Sequence, residues 1–151
     1  MKTFIFLACC FTISSSLRVY AQDDKKEVLA IAQQFFDALE KGDTTTLRSL
    51  YLNDARNFFV QEKDTKISEG SRSPKSFRAD KDRVVRERFI KGGVEVMVHN
   101  RIAMVWGSYN LWINDQFSHC GVDAFTLLKT DTGWKISSLS YSMETEGCQG
   151  K

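Results

Sequence analysis

His119, Asp123 and Tyr141 are the residues of this chain best suited to proton chemistry. They fall in a stretch crowded with Trp106, Trp112, Phe117 and Phe125. A carboxyl group among aromatic rings holds its proton more tightly than in water, which suits proton transfer near neutral pH. A tyrosine hydroxyl can steady a developing oxyanion. A histidine can serve as base or polar anchor. His119 and Asp123 are four residues apart, roughly 13 Å along a strand that rises about 3.3 Å per residue. They would flank one ligand rather than form a dyad. The same groups also suit a structural role, because buried polar side chains nearly always find a partner. The sequence leaves both readings open. With two histidines and no metal-ligand spacing, no metal or cofactor is expected. Nucleophile elbow, phosphate loop and dinucleotide fingerprint are all missing.

The elements that must position these groups are strands. Val84 to Ile90 and Val94 to Val98 are β-rich, with Gly92-Gly93 as a bulge between them. Ile102 to Ile113, Phe117 to Lys129 and Trp134 to Met143 read as three long strands. They are joined at Asn114-Asp115 and Asp131-Thr132-Gly133. Setting Ile113 opposite Gln116 and Thr130 opposite Trp134 gives a face map. One face then carries His119, Asp123 and Tyr141 with Trp106, Asn110, Trp112, Phe125 and Met143. These last five, with Tyr51 reaching in from the first third, are the expected ligand-binding walls. The opposite face, with Val105, Tyr109, Leu111, Val122 and Ile136, is apolar too. A sheet apolar on both faces needs two covers. Helices are expected on one, and a second copy of the chain on the other, giving a homodimer through the sheet.

The helices come first in the chain. Asp24 to Lys41 sets Val28, Ile31, Ala32, Phe35, Phe36 and Leu39 on one stripe, with Asp24 and Glu27 as a capping box and Gly42 as a stop. Asp43 caps a shorter helix that shares Leu47, Leu50 and Tyr51 on a face. Arg56 to Gln61 reads as a strand. Residues 62–82 are polar and weakly patterned. In them Ser73-Pro74 opens either a short helix to Arg78 or a loop. Residues 72–91 hold eight basic and three acidic side chains. That run suits an anionic ligand or a glycan, though most charge runs simply face water.

The first 21 residues read as an export signal: Lys2, then the apolar run Phe4 to Ile13, then Val19-Tyr20-Ala21 before a cut. Cys9 and Cys10 keep a lipoprotein alternative open. The run is too short to span a bilayer. Lys2 and Arg18 are the only charges in that segment, so residues 22–151 balance 19 basic against 19 acidic side chains. A neutral chain of 130 residues is one domain and not a generic nucleic-acid binder. It is expected in the periplasm or outside the cell, where Cys120 and Cys148 would meet an oxidising medium. A regular strand would hold those two roughly 13 Å apart, so a disulfide requires the tail to curl at Gly147. The pairing stays open on the sequence.

Four stretches carry a family resemblance: Phe35-Phe36-Asp37-Ala38-Leu39 followed by Gly42-Asp43; Ala103-Met104-Val105-Trp106; Phe117 to Phe125; and Asp131-Thr132-Gly133-Trp134-Lys135-Ile136. Together they resemble the nuclear transport factor 2-like superfamily, in its exported bacterial SnoaL-like and lumazine-binding-like small-domain branch. The resemblance implies an α+β cone: N-terminal helices packed on a long curved antiparallel sheet, with a pocket at the open end. Such cones host enzymes and binders alike. The leading expectation is a binder of a small, mostly apolar molecule. The alternatives are an acid–base isomerase, dehydratase or hydrolase using Asp123 with Tyr141 or His119, and an interaction domain with a filled cone.

Overall fold

The structure, a computed structural model, describes residues 13–63 and 65–150. The expected export segment lies outside the described residues up to residue 12. Helix α1 spans Ile13–Glu40. Its apolar stripe packs inward: Val28, Ala32, Phe35 and Phe36 are buried, and Ile31 and Leu39 half-buried. Asp24 does not cap this helix but lies within it. Its carboxylate pairs with Lys129 and accepts a bond from Trp134 Nε1 (3.4 Å), tying the helix to the sheet. The helix stops as expected at Gly42, which takes φ +63° while Asp43 N donates back to Ala38 O at 2.8 Å. Asp43 Oδ1 then accepts from Thr46 N (2.9 Å) and caps α2, Thr44–Ser49. Tyr51 is not on that helix; it opens the first strand.

Strands β1 (Tyr51–Lys63), β2 (Lys66–Arg72), β3 (Val85–His99), β4 (Ile102–Ile113), β5 (Gln116–Thr130) and β6 (Gly133–Met143) form one sheet. The order is β2-β1-β6-β5-β4-β3, and only β1 and β6 run parallel. No pattern in the sequence announces β2. Nearly all of its residues face water, so it lacks the alternation that marks a half-buried strand. Ser73 caps only a single 3-10 turn, Pro74–Ser76, rather than a helix to Arg78.

Register decides which side chains meet. Ile113 pairs with Gln116 and Trp112 with Phe117, but Ser118 is then an extra residue on β5. Beyond that bulge His119 pairs with Leu111, Cys120 with Asn110 and Ala124 with Trp106. A slip of one residue exchanges faces. Trp106, Asn110 and Trp112 therefore lie on the side away from Asp123, which corrects the face map. At the next hairpin two departures cancel. Thr130 pairs with Gly133 rather than Trp134, and a bulge at Ser137 restores Phe125 opposite Leu139 and Asp123 opposite Tyr141.

Two adjacent rows show the result. The inner row runs Phe59–Tyr141–Asp123–Gly107–Val94 beneath the helices, and the outer row Phe58–Ser140–Ala124–Trp106–Glu95 on the other side. Phe125 is fully buried, 5.4 Å from the Phe35 ring and 6.0 Å from Phe36, so it is core rather than pocket wall. Cys120 and Cys148 form the disulfide, with Cα atoms 5.7 Å apart. Gly147, at φ +69°, supplies the curl this requires. Asn110 Nδ2 holds the folded-back tail by donating to Gln149 O (2.7 Å) and Gly150 O (3.2 Å).

Candidate functional site

The inner face, both helices and the Pro74–Ser76 turn enclose a cavity of about 390 Å³. Each wall follows from its element. Leu39 and Leu47 come from the apolar stripes of α1 and α2. Tyr109 and Leu111 come from the inward alternation of β4, and Tyr141 and Met143 from that of β6. Phe77, held by Arg48 Nη2 on its carbonyl (2.6 Å), closes one side. Asn57, His119, Thr44 and Ser73 are polar groups of the wall, and Arg72, Arg78 and Arg83 stand with Asp80 at the exposed rim.

A layer of polar groups lies beneath the wall. Asp123 is 1% exposed and Glu87, on β3, 7%. Their carboxyl groups are close enough to shift each other's titration. Two buried carboxylates side by side repel, which favours a proton on the pair. Neither oxygen of Asp123 accepts a bond from any N–H or hydroxyl of the described chain. Burial raises Glu87 to about 8, only partly offset by its neighbours Asp123 and Arg88. Burial, then the neighbouring Glu87, raise Asp123 well above the carboxylate range. The Phe89 ring follows Glu87 on the inward side of β3. It lies across Gly107, where a Cβ would come within 2.7 Å of it.

Tyrosines surround the pair. Burial pushes the Tyr51, Tyr109 and Tyr141 hydroxyls up, and the two acids add to each shift. Tyr109 donates to Ser142 O at 2.7 Å. Tyr51 and Asn57 are 6% exposed and neighbours, yet Tyr51 Oη and Asn57 Oδ1 are left without a well-formed partner. His119 packs edge-on to Tyr109 at 5.9 Å with Ser118 Oγ 3.0 Å from Nδ1. Burial and Arg83 hold its imidazole below the ordinary value, so the ring is neutral at pH 7.

Of the expected site residues, His119, Tyr141 and Met143 line the cavity, while Asp123 and Tyr51 lie just behind it. Trp106, Asn110 and Trp112 belong to the outer face and Phe125 to the core. Glu87, Asn57 and Tyr109 escaped the sequence reading. Glu87 had a visible signal: alternation with Val85 and Phe89 places it on an inward face. Trp106 instead forms one wall of an outer groove of about 720 Å³, opposite Phe58 and Val60 and floored by Ala124, Ser140 and Ser142. Among the described residues no group of three His, Cys, Asp or Glu side chains is placed to hold a metal ion.

The match to a family model over residues 23–142, described as "Putative lumazine-binding", spans the helices and the whole sheet. The chain belongs to this lumazine-binding-like family, within the nuclear transport factor 2-like fold. Solved structures agree on the fold. One from Streptomyces avermitilis, described as a "putative dehydratase" of that fold family, is 20% identical with a TM-score of 0.62, covering 81% of this chain and 96% of its own. One from Novosphingobium aromaticivorans, described as the β subunit of "a putative aromatic-ring-hydroxylating dioxygenase", is 12% identical with a TM-score of 0.66, covering 83% and 92%. A superfamily protein from Salmonella enterica is 15% identical with a TM-score of 0.62, covering 86% and 97%. No curated protein matches. Identities this low establish the shared fold and nothing about reaction.

Proposed function

We propose that this lumazine-binding-like protein binds a small, mostly apolar organic molecule inside the cone. The observation that carries the reading is the cavity itself. It is open, it is walled by Leu39, Leu47, Phe77, Tyr109 and Tyr141, and polar atoms without partners lie at and just behind its wall. Ligand pockets have this make-up, and a cone filled by its own side chains would not. A flat heteroaromatic ring such as the lumazine of the family description suits walls built from Phe77 and two tyrosines. Native mass spectrometry of protein purified from its own host tests this. A defined extra mass that leaves when Tyr141→Ala is introduced is the expected result. Empty protein, unresponsive to added heteroaromatic compounds, would sink the reading.

One observation favours a second reading, acid–base catalysis: the buried Glu87–Asp123 pair beneath Tyr141. Such a pair is a proton reservoir poised near physiological pH. A retained molecule that is converted on incubation, and survives incubation with Asp123→Asn, would promote this reading over simple binding.

Two further features belong to the same proposal. A second copy covers the outer groove, giving a homodimer through the sheet. The mature protein works outside the cytoplasm, and the Cys120–Cys148 disulfide supports this, since such bonds persist in oxidising compartments.

A further inference from the structure

Only some of the described arginines are paired with acids, and Arg48 and Arg56 are not. Arg86 and Arg101 each face an aspartate, and Arg88 faces both Asp37 and Glu40. Arg72, Arg78 and Arg83 form no ion pair with any described carboxylate, although they converge on one opening. The acid among them, Asp80, is engaged in its own turn, accepting from Asp82 N at 3.0 Å. Arg78 is tethered rather than loose, since Nη1 donates to the carbonyls of Lys75 and Phe77, both at 2.9 Å. Arg72 lies against the Phe59 ring, 5.1 Å from its centroid. The charges of Arg72 and Arg83 are felt inside, at Tyr141 and His119 respectively. Burial raises both acids behind the wall, which disfavours a competing negative charge in the interior. Guanidinium groups fitted around an opening are built to fork onto an oxyanion.

We propose that the cavity takes an anionic aromatic molecule, its oxyanion held at the rim by Arg72, Arg78 and Arg83 and its ring body against Phe77, Tyr109 and Tyr141. This rests on the binding reading above and adds to it the charge and the orientation of the ligand. The ring enters first, and the carboxylate, sulfonate or phosphate stays at the mouth.

Calorimetric titration with 2-naphthoate, 2-naphthyl phosphate and the uncharged 2-naphthamide tests it. The two anions should bind at least tenfold more tightly than the amide, and their advantage should shrink as salt rises. The order of the two anions tells a carboxylate-type from a phosphate-type ligand. Arg78→Gln with Arg83→Gln should erase the advantage, so that on that variant the anions bind no more tightly than the amide. Arg83→Lys, in an otherwise unaltered chain, should retain part of it. Both positions are exposed, and circular dichroism checks that the variants fold. Amide binding equal to the anions, or a preference that survives loss of both arginines, overturns the proposal and leaves the binding reading standing. Failure of all three compounds to bind overturns both.

Discussion

The two faces of one sheet invert the usual division between inside and outside. The inner face, roofed by α1, conceals two carboxyl groups that shift each other's titration, Glu87 and Asp123. The outer face leaves Phe58, Val60, Ile67, Met97, Ile102, Trp106 and Leu128 exposed, seven of the nine exposed large apolar side chains described. Acids are rarely buried without cationic partners, and apolar patches rarely face water without purpose. Both faces are apolar in sequence, so composition does not separate them. What separates them is cover, and the polar exceptions the cover encloses. Inside, the helices complete a core and leave a cavity beside the acids. Outside, only one end is covered, by the tail that Cys120–Cys148 and Asn110 hold down.

If the inner face alone carries the fold, cutting the same class of side chain on the two faces must give unequal results. Phe125→Ala should be the costliest change, at about 3–5 kcal/mol. Phe125 is fully enclosed by Phe35, Phe36 and Phe89. Urea unfolding reads this directly. A loss under about 1 kcal/mol, far below the range for an enclosed aromatic ring, would mean that the helices do not seal that face. Next in size is the staple of the outer face. Cys148→Ser releases a closure across a sequence separation of 28 residues and should cost about 2–4 kcal/mol. Faster hydrogen exchange should appear at Asn110 and Cys120 but not at Phe125. Uniform loss across the sheet would break the claim that the tail protects only its own end.

The acid pair sharpens the comparison through pH. Glu87 is raised from 4.5 to about 8 in the folded chain. Below pH 4.5 it is protonated in both states and does not affect the balance. Between about 4.5 and 8 the folded state keeps a proton that the unfolded state has released, so stability falls as pH rises. Above about 8 the loss is complete. Glu87→Gln keeps the shape, removes one of the two charges and should flatten much of this slope. The variant should therefore melt above the parent at about pH 8–9 and close to it at about pH 5. Equal melting curves across that range would show that the pair is not held out of water.

The contrast between faces was half legible. The stripe of α1, the Gly42 stop, the Asp43 cap and the strand over Arg56 to Gln61 all read correctly, because each is a local rule. So did the Asp123–Tyr141 pairing, though only because an assumed turn and an unseen bulge at Ser137 offset one another. The Ser118 bulge left no such mark, and it exchanged the faces of Trp106 and Asp123. A bulge is chosen by the packing of the whole sheet, which a single strand does not encode. Glu87 was hidden for a different reason. It sits in a run of eight basic residues that reads as a solvated edge, and only its two-residue spacing from Val85 and Phe89 points inward. The β2 hairpin, exposed along almost its whole length, has no inside to reveal.

Trp106 should give the smallest change in the stability of a single chain and the sharpest test of the outer face. It is 48% exposed and stands across the groove floor of Ala124 and Ser140 from Phe58. In an isolated protomer Trp106→Ser removes a side chain already half in water. Unfolding measured under dilute conditions should move by about 0.5 kcal/mol or less. In a dimer the same indole would be enclosed, and tryptophans at the centre of interfaces commonly contribute about 2 kcal/mol or more. Sedimentation should therefore show the parent as a dimer at micromolar concentration. The Trp106→Ser chain should dissociate at concentrations tens of times higher, with its single-chain stability preserved. A parent that sediments as a monomer would leave the outer groove uncovered in solution. A dimer indifferent to Trp106 would place the interface elsewhere. If the small stability change and the large change in association appear together, the two faces divide their labour: the inner one folds the chain and the outer one pairs it.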